Sequence, residues 1–547
     1  MAQKASTGDV ERWLDAHLSR LPDDAHAWLA LAESKERQGR LEDALDDLVL
    51  AVHHGPQLVA VRLAHARVLA DLGRLDEAEE TLREALSADA SQPDVHFKLG
   101  NLLSRAGRYE RAVEALRAGM LLQPGRADIE SNLSHASFEV GQIDEAIAAA
   151  QRAIALSPKL AEAHHNYALA LLAAGRPDEA LLSIERALAI SDTAGSRALA
   201  GHVLRDLGRI EDAIATYGLA LERDPALGDA IINRCYAKLL DGRYDEGWRE
   251  YASRFDATNT ACRGFPYPEW RGESLAGRTV LIYAEQGIGD EIMFASCIPD
   301  VLAMAGRCVI ECSARLASLY ARSFPSAFVH GGTKADAHDW LSAAGKIDYQ
   351  VAAGDLPGRL GRRAGTFPGH TGYLVADPER RRVWRARLDA LGEVRTVGVS
   401  WRGGTMKTRG NLRSIPLGVF MDSLVRDGIR LVALQYGMTD SEMIAAGDAC
   451  WPGIWEDFDD VAALISELDA VVTIDNTVAH LAGALGCRGV VLLHASPEWR
   501  YLKDGDRMPW YPSLSLVRRS LRQSWETTLS AAVVRLEQLL REPDQSS

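Results

Sequence analysis

QGRLEDAL (38–45) and LGRLDEAE (72–79) are two copies of the stretch that decides the fold of the first half of this chain. Similar stretches recur along the first 250 residues, and their glycines stand 34 residues apart except for one step of 33. The glycines are Gly39, Gly73, Gly107, Gly141, Gly175, Gly208 and Gly242. A period of this length is typical of stacked helix–turn–helix units, none of which buries its apolar face alone.

Small residues and prolines mark the packing and the ends of the predicted helices. Five positions after each glycine comes a residue that lets two helices approach closely, and these residues are Ala44, Ala78, Ala112, Ala146, Ala180, Ala213 and Gly247. Prolines follow the second helix of several units, at Pro56, Pro124, Pro158 and Pro225. The pattern resembles the tetratricopeptide repeat family. It predicts an α superhelix of about seven repeats over residues 1–255, with a concave surface that binds protein segments.

Asparagines recur on the first helix of several units. Asn132, Asn166 and Asn233 stand nine residues before the glycine of their unit, and Asn101 lies one turn further along its helix. An amide side chain both donates to and accepts from an extended peptide backbone, so these four residues are candidates for peptide binding. The alternative is that they are polar residues tolerated at a helix surface, since other residue types take the same position elsewhere.

Composition and charge narrow the class of protein. The 547 residues are too many for one compact core. The sequence contains no apolar run long enough for a signal peptide or a membrane span, which predicts a cytoplasmic protein. Residues 1–250 carry a net charge of −13, which argues against a nucleic-acid partner. The seven cysteines are scattered and indicate neither a disulfide framework nor a zinc site.

Beyond residue 255 short apolar runs alternate with helical stretches, a pattern that predicts parallel sheets in βαβ order. The predicted runs are TVLIYA, RCVIEC, DYQVA, TVGVSW, RLVALQY, AVVTID and GVVLLH. We expect a linker over 256–272 and then two Rossmann-like lobes. The first lobe covers 273–390, and the second lobe covers 391–547 and ends in a closing helix. A ligand would then bind in the cleft between the lobes, at the carboxyl ends of strands.

The segment YAEQGIGDEI (283–292) follows the first predicted strand and contains Gly287 and Gly289. Glycines between a strand and a helix free backbone N–H groups for an anion. The dinucleotide fingerprint needs a third small residue where this chain has Ile292, although Glu311 at the end of the next strand could contact a ribose and keeps a nicotinamide site open. Asp290 is either an ordinary acid at a helix start or a general base in the cleft.

Two segments of the second lobe are candidate phosphate sites. A glycine-containing loop carries Arg402, Lys407, Arg409 and Arg413, four cations that suit a diphosphate, although a solvated charged loop is the alternative. In AVVTIDNTVAHLAGALG, a strand ends at Asp475, and Asn476 and Thr477 cap a helix that carries His480 on its first turn. The start of that helix is a second candidate anion site.

Several of these segments together resemble bacterial proteins that join tetratricopeptide repeats to a glycosyltransferase domain similar to the heptosyltransferases. The segments are EQGIGDEIMFASCIPD, VSWRGG with RSIPL, DFDDVAALISELDAVVTIDNTVAHLAGALG, and PEWRYL. The resemblance implies a GT-B fold that needs no metal, with the acceptor on the first lobe and the nucleotide sugar on the second. It places the base at Asp290 and the donor site at Asp475, Thr477 and His480. Arg402 or Lys407 would hold the donor phosphates, and Asn476 departs from the family pattern.

The same plan resembles eukaryotic-type O-GlcNAc transferases and bacterial enzymes that modify flagellin. We therefore expect an inverting protein O-glycosyltransferase that moves a sugar from a nucleotide sugar to Ser or Thr of a protein such as flagellin. The nucleotide sugar is a co-substrate, and no other cofactor is expected. Two alternatives stay open: a non-catalytic repeat adaptor with a degenerate nucleotide-binding domain, and a transferase of lipid-linked glycans. The sugar, the nucleotide and the oligomeric state are not readable from the residues.

Overall fold

The computed structural model describes residues 7–257, 263–332, 338–363, 366–367, 369–404, 410, 412–446 and 449–542. The chain divides into two compact units, Met1–Asp192 and Thr193–Ser547. The 34-residue period continues past this division to residue 255. The last repeats therefore belong to the same compact unit as the α/β part.

The first unit consists of helices that pack in chain order, each on the next. Their bounds are α1 Thr7–Leu18, α2 Ala25–Glu36, α3 Leu41–His54, α4 Val59–Asp71, α5 Leu75–Ala88, α6 Pro93–Arg105, α7 Tyr109–Leu122, α8 Ala127–Glu139, α9 Ile143–Leu156, α10 Ala161–Ala173 and α11 Pro177–Ile190. Helices α2 to α11 form five hairpins, and adjacent hairpins stack on each other. A continuous apolar core runs between them.

The period of the sequence has a direct structural cause. All seven repeat glycines adopt a left-handed backbone with φ between 70° and 80°. This conformation ends the first helix of each pair and is far easier for glycine than for other residues. The alanine five positions later is completely buried in all six repeats that have one. The chain therefore turns and packs at fixed intervals.

The second unit begins with the remaining repeat helices, which are α12 Ala194–Asp206, α13 Ile210–Arg223, α14 Gly228–Leu240, α15 Tyr244–Tyr251 and α16 Arg254–Ala257. Gly247 takes the place of the packing alanine in α15. A Cβ on Gly247 would lie 2.5 Å from the Cδ2 atom of Leu239, so an alanine at this position would require the Leu239 side chain to move.

The first lobe contains a four-stranded parallel sheet. Its elements are β1 Thr279–Tyr283, α17 Ile288–Phe294, α18 Ile298–Met304, β2 Arg307–Ser313, α19 Ala317–Ser323, β3 Phe328–Gly332, α20 Leu341–Ala344, β4 Tyr349–Ala352 and α21 Leu356–Arg359. The strand order is β3-β2-β1-β4. The sequence pattern missed β3, because this edge strand is short, only half-buried and ends in two glycines.

The second lobe contains a six-stranded sheet. Its elements are α22 Pro378–Asp389, β5 Arg395–Ser400, α23 Leu417–Leu424, β6 Ile429–Ala433, α24 Asp440–Ala446, α25 Phe458–Ser466, β7 Ala470–Ile474, α26 Thr477–Ala484, β8 Gly489–Leu493, β9 Arg507–Met508, β10 Tyr511–Arg518 and α27 Trp525–Arg541. The strand order is β6-β5-β7-β8-β10-β9, and only β9 is antiparallel to its neighbour. The closing helix α27 packs on α23 and on this sheet. The sequence pattern missed β9 and β10.

Helical repeats thus precede an α/β part with two mainly parallel sheets, which confirms the predicted fold class. Six cysteines of the described residues are free thiols, and Cys262 lies outside the described ranges. Within those ranges, no three His, Cys, Asp or Glu side chains come together as a metal site requires. None of the helices described above is both long and apolar enough to cross a membrane.

Candidate functional site

A cleft of about 530 Å³ lies between the two lobes. The first lobe contributes Ile288 and Arg315. The second lobe contributes Ser400, Arg402, Gly403, Gly404, Gly410, Ser414, Gln435, Tyr436, Trp455, Phe458, Asn476, Thr477 and Val478. Many of these residues follow the carboxyl ends of β5, β6 and β7, which lie side by side in the sheet. Ligands of open parallel sheets bind at this position.

Asn476 organises the strand ends at the floor of the cleft. Its Oδ1 atom accepts a hydrogen bond from the Val478 amide at 2.9 Å and so caps α26. Its Nδ2 atom donates to the hydroxyl of Ser400 at 2.7 Å, which joins the ends of β7 and β5. The side chain of Asn476 is therefore occupied by the protein itself, while the neighbouring Thr477 lines the cleft.

Asp475 lies beneath this floor with 1 % of its surface exposed. The Nε atom of Arg413 is 3.1 Å from its Oδ2 atom, and the same guanidinium donates to the Asp475 carbonyl. Burial raises the pKa of the Asp475 carboxyl, and the charges of Arg413 and His494 oppose that rise. Two of the predicted donor-binding residues, Arg413 and Asp475, therefore pair with each other.

Arg402 lines the cleft but is also paired. Its Nε and Nη2 atoms donate to the two carboxylate oxygens of Glu442, at 3.0 and 2.7 Å. These hydrogen bonds are the main reason that the pKa of Glu442 falls to about 2. Lys407 and Arg409 lie outside the described residues.

Arg315 is a cleft residue that the sequence pattern did not single out. It reaches the cleft from the first lobe, with its guanidinium 4.7 Å from the ring centre of Phe458 and one N–H donated to the Trp455 carbonyl at 2.7 Å. It follows β2 directly, which is the position that parallel sheets use for ligand contacts. Its place directly after a predicted strand was the feature of the sequence that could have identified Arg315 as a cleft residue.

The glycine loop of the first lobe faces the helix α26 of the second. Gly287 precedes α17 and caps it. A Cβ on Gly289 would lie 3.2 Å from the Cδ2 atom of His480 and 3.7 Å from the hydroxyl oxygen of Thr477. The fold therefore brings together Gly289, Asp290, Thr477 and His480, which come from two distant parts of the sequence.

His480 is buried, and its Nδ1 atom is 3.1 Å from the hydroxyl oxygen of Tyr511. Burial lowers the pKa of this imidazole to about 3, and the charges of Arg500 and Arg413 add to the shift. The ring is therefore neutral at physiological pH. It can offer a hydrogen bond but carries no charge that would attract a phosphate.

Asp290 is paired with Arg500, a residue that was not selected from the sequence. The Nε atom of Arg500 donates to Asp290 Oδ1 at 2.7 Å, and its Nη2 atom donates to the same oxygen. The guanidinium stacks over Trp499 at 4.9 Å. An arginine within the aromatic run EWRY was the only available indication of this role in the sequence.

The candidate peptide-binding asparagines contact neighbouring helices. Asn132 donates to the Oδ1 atom of Asn101 at 2.7 Å, and Asn166 donates to the Ser131 carbonyl at 2.9 Å. Asn233 donates to the Asp229 carbonyl at 2.9 Å and accepts from Arg205 at 3.0 Å. All four asparagines are partly exposed.

Protein FlbA of Caulobacter vibrioides is 31% identical to this chain over 355 residues. The alignment covers 60% of this chain and 59% of FlbA, so the chain spans about three fifths of that relative.

Solved structures similar to part of the chain include two repeat proteins. YrrB, described as a TPR protein with an unusual peptide-binding site, is 18% identical with a TM-score of 0.30, and the match covers 34% of this chain and 95% of YrrB. TTC0263, a TPR protein of Thermus thermophilus, is 25% identical with a TM-score of 0.30, and the match covers 32% of this chain and 97% of TTC0263.

Family models also match the first part of the chain. Residues 139–220 match a model described as anaphase-promoting complex, cyclosome, subunit 3. Residues 9–57, 37–96 and 69–134 match models described as tetratricopeptide repeat. These matches agree with the period of the glycines and with the stacked hairpins, and they identify residues 9–134 as tetratricopeptide repeats.

Proposed function

We propose that this chain is a GT-B glycosyltransferase that moves a sugar from a nucleotide sugar to a Ser or Thr hydroxyl of a protein held by the repeats. One observation carries the proposal: the loop that carries Asp290 reaches the cleft at the strand ends of the second lobe, where its neighbour Ile288 is one of the lining residues. A donor bound at the start of α26 would thus lie between the candidate base and the strand ends. Tetratricopeptide repeats themselves bind protein partners.

The reaction needs a base at the acceptor hydroxyl. The hydroxyl oxygen attacks the anomeric carbon as its proton passes to Asp290, and the bond from that carbon to the phosphate oxygen breaks. The nucleoside phosphate leaves with the electron pair, and the configuration at carbon is inverted. Both hydrogen bonds from Arg500 go to Oδ1 of Asp290, so Oδ2 is the oxygen that would accept the proton.

The leaving phosphate gains negative charge as the bond breaks. Thr477 at the start of α26 lines one side of the cleft, where the helix dipole favours an anion, and Arg315 offers a cation on the other side. Fixed donors aimed at developing charge are usually the largest contribution to catalysis. His480, which is neutral, would contribute a hydrogen bond. By the family resemblance, the reaction requires no metal.

Flagellin is the first acceptor to test, because the order of repeats and transferase resembles that of flagellin-modifying enzymes. Flagellin would be produced together with this protein in cells that make sugar nucleotides, and its intact mass would be measured. We expect a sugar-sized increase with the unaltered chain. We expect the increase to disappear with Asp290→Ala and with the isosteric Asp290→Asn, while Asp300→Asn, elsewhere in the first lobe, retains it.

A flagellin mass that stays unchanged with the unaltered chain would contradict flagellin as the acceptor. In that case the proteins retained by immobilised full-length chain would be identified and tested by the same mass measurement. The glycosyltransferase proposal itself fails if none of them gains a sugar and no nucleotide sugar binds.

A non-catalytic adaptor is the second candidate, and one observation favours it. The described cations Arg402 and Arg413 already pair with Glu442 and Asp475. Both pairs would have to rearrange before these arginines could bind a diphosphate. The intact-mass measurement separates the two candidates. A transferase adds a sugar to its acceptor, whereas an adaptor adds none, whether or not its α/β part binds a nucleotide.

A further inference from the structure

We propose that the last repeat is part of the catalytic centre: Tyr236, Trp248 and Tyr251 hold Trp499, and Trp499 fixes Arg500 as the positioning residue of Asp290. This inference rests on the proposed function and extends it. The last repeat would not only continue the surface that holds the acceptor. It would also hold the base in place.

The first step is the aromatic cluster around Trp499, which is 4 % exposed. The ring of Tyr236 in α14 stacks on it with centroids 6.2 Å apart and an interplanar angle of 15°. Trp248 in α15 meets it edge to face at 5.5 Å. Tyr251, at the end of α15, lies 6.0 Å away. Three rings of one repeat therefore enclose a side chain of the second lobe, and such contacts have defined geometry.

The second step leads from Trp499 to the base. The guanidinium of Arg500 lies 4.9 Å from the Trp499 ring centre, and its Nη1 atom is 3.6 Å from the carboxylate of Glu498. The Nε and Nη2 atoms both point to Asp290 Oδ1. A planar guanidinium that is stacked on one face and bonded along one edge has little freedom. The position of Asp290 is therefore coupled to that of Trp499.

The third step is a second attachment of the same repeat to the same loop. The side chain of Gln286, four residues before Asp290, donates to the hydroxyl of Tyr251. Just beyond Tyr251, Arg254 donates to Glu285 at 2.9 Å, and both of these charged residues are buried. Tyr251 thus touches the cluster that holds Arg500 and the loop that carries Asp290. Both sides of the base depend on α15 and the residues that follow it.

An interface that only packs the repeat onto the lobes would affect global stability alone. Hydrogen–deuterium exchange of the full chain distinguishes the two cases, because it reports the local opening of single segments. The variants are Arg500→Gln, Arg500→Lys and Tyr236→Leu. Arg382→Gln is the matched control, since Arg382 makes an ion pair with Glu379 but has a side chain that is 74% exposed.

We expect exchange of the amides at 288–293 to become about tenfold faster in Arg500→Gln, because two charge-assisted hydrogen bonds are lost. The increase should be smaller in Arg500→Lys, which keeps the charge. The faster exchange should also be present in Tyr236→Leu, which loses the ring that stacks on Trp499 but keeps both hydrogen bonds from Arg500 to Asp290. Amides at 529–539 in α27 report whether the whole unit has loosened. The proposal is overturned if 288–293 responds no more than in Arg382→Gln, or only together with 529–539.

Sugar transfer gives a separate result. We expect Arg500→Gln to lower kcat about 100-fold with little change in the KM for the donor, and Arg500→Lys to recover part of the loss. Guanidinium ion at non-denaturing concentration should restore activity to Arg500→Ala but not to Asp290→Ala. If the loop responds in exchange but the unaltered chain transfers no sugar, the proposed function fails and the structural coupling stands. If transfer occurs without any response of the loop, the coupling fails and the proposed function stands.

Discussion

Gly289 of the first lobe lies against His480 of the second, at a separation where an added Cβ would be a tight contact. A Cβ on Gly289 would be 3.2 Å from the imidazole Cδ2 atom, whereas a Cβ on Gly287 would have Asp290 Oδ2 as its nearest neighbour at 4.0 Å. The two glycines of this loop therefore differ in the space that a larger side chain would have. Of the two, only Gly289 lies at the contact between the lobes.

This difference predicts the effects of two alanine substitutions. Gly289→Ala should push α17 away from α26 by a few tenths of an ångström and reduce sugar transfer, or donor affinity, about tenfold. Gly287→Ala should leave donor affinity within about twofold, because the added methyl group has space. Titration calorimetry with the nucleotide sugar measures the donor affinity of both variants. Equal losses in the two variants would show that contact with His480 is not the cause.

The hydrogen bonds between Arg402 and Glu442 predict a pH-dependent contribution to stability. The pKa of Glu442 is lowered from 4.5 to about 2 in the folded chain. This contribution is therefore present above pH 4.5 and is lost as the pH falls toward 2. Glu442→Gln should destabilise the second unit by about 2 kcal/mol at pH 7 and by much less at pH 3.

Thermal unfolding followed by tryptophan fluorescence at pH 7 and pH 3 measures this difference. Glu379→Gln is the control, because Glu379 also pairs with an arginine but has a side chain that is 77% exposed. Its effect should be about 0.5 kcal/mol or less at either pH. A Glu442→Gln effect that does not depend on pH would contradict the prediction.

Buried His480 predicts a second pH effect. The pKa of its imidazole is lowered from 6.5 to about 3 in the folded chain. Below pH 6.5 the unfolded chain takes up a proton that the folded chain does not, so the free energy of unfolding falls as the pH decreases. Because of His480, the free energy of unfolding should fall by about 1 kcal/mol for each pH unit between pH 6 and pH 4.

His480→Gln removes this titration and should flatten the dependence of stability on pH in that range. The measurement is the midpoint of urea unfolding at several pH values. His53→Gln, which replaces an exposed imidazole of α3, serves as the control and should keep the slope of the unaltered chain. A slope that His480→Gln leaves unchanged would mean that the imidazole is not held neutral.

Two glycines of the repeat helices predict opposite changes in stability. Gly247→Ala would place its methyl group 2.5 Å from Leu239 and should destabilise the second unit by about 1–3 kcal/mol. A Cβ on Gly218 in α13 would meet no atom within 4 Å. Gly218→Ala should therefore stabilise the helix by about 0.5–1 kcal/mol. Thermal unfolding of both variants is the test, and the same sign of change in both would refute the packing argument.

Much of the fold can be predicted from the sequence because it is local. A glycine that must be left-handed and an alanine that must be buried recur at the same spacing in each repeat, so the period reports the turn and the packing directly. The buried strands β1, β2 and β4 to β8 are apolar runs and were predicted for that reason. Strand β3 at a sheet edge and the Pro-containing β10 have no such pattern.

The candidate site was only partly predictable. The segment from Asp475 to His480 contains its own strand end, cap and helix, so its residues could be selected from sequence alone. The partners of these residues could not. Arg413 pairs with Asp475, and Arg402 pairs with Glu442. In the sequence alone, both arginines appeared available to bind a phosphate.

The sequence by itself determined the repeats, the parallel α/β part and the loop that carries Asp290, because each depends on residues close together in the chain. Only the tertiary structure decided that Arg500 bonds to Asp290 across 210 residues and that Trp248 and Tyr236 pack on Trp499. Contacts of this kind depend on how whole elements are placed. No local spacing or periodicity records them, since any arginine or tryptophan at a similar position would have the same local pattern.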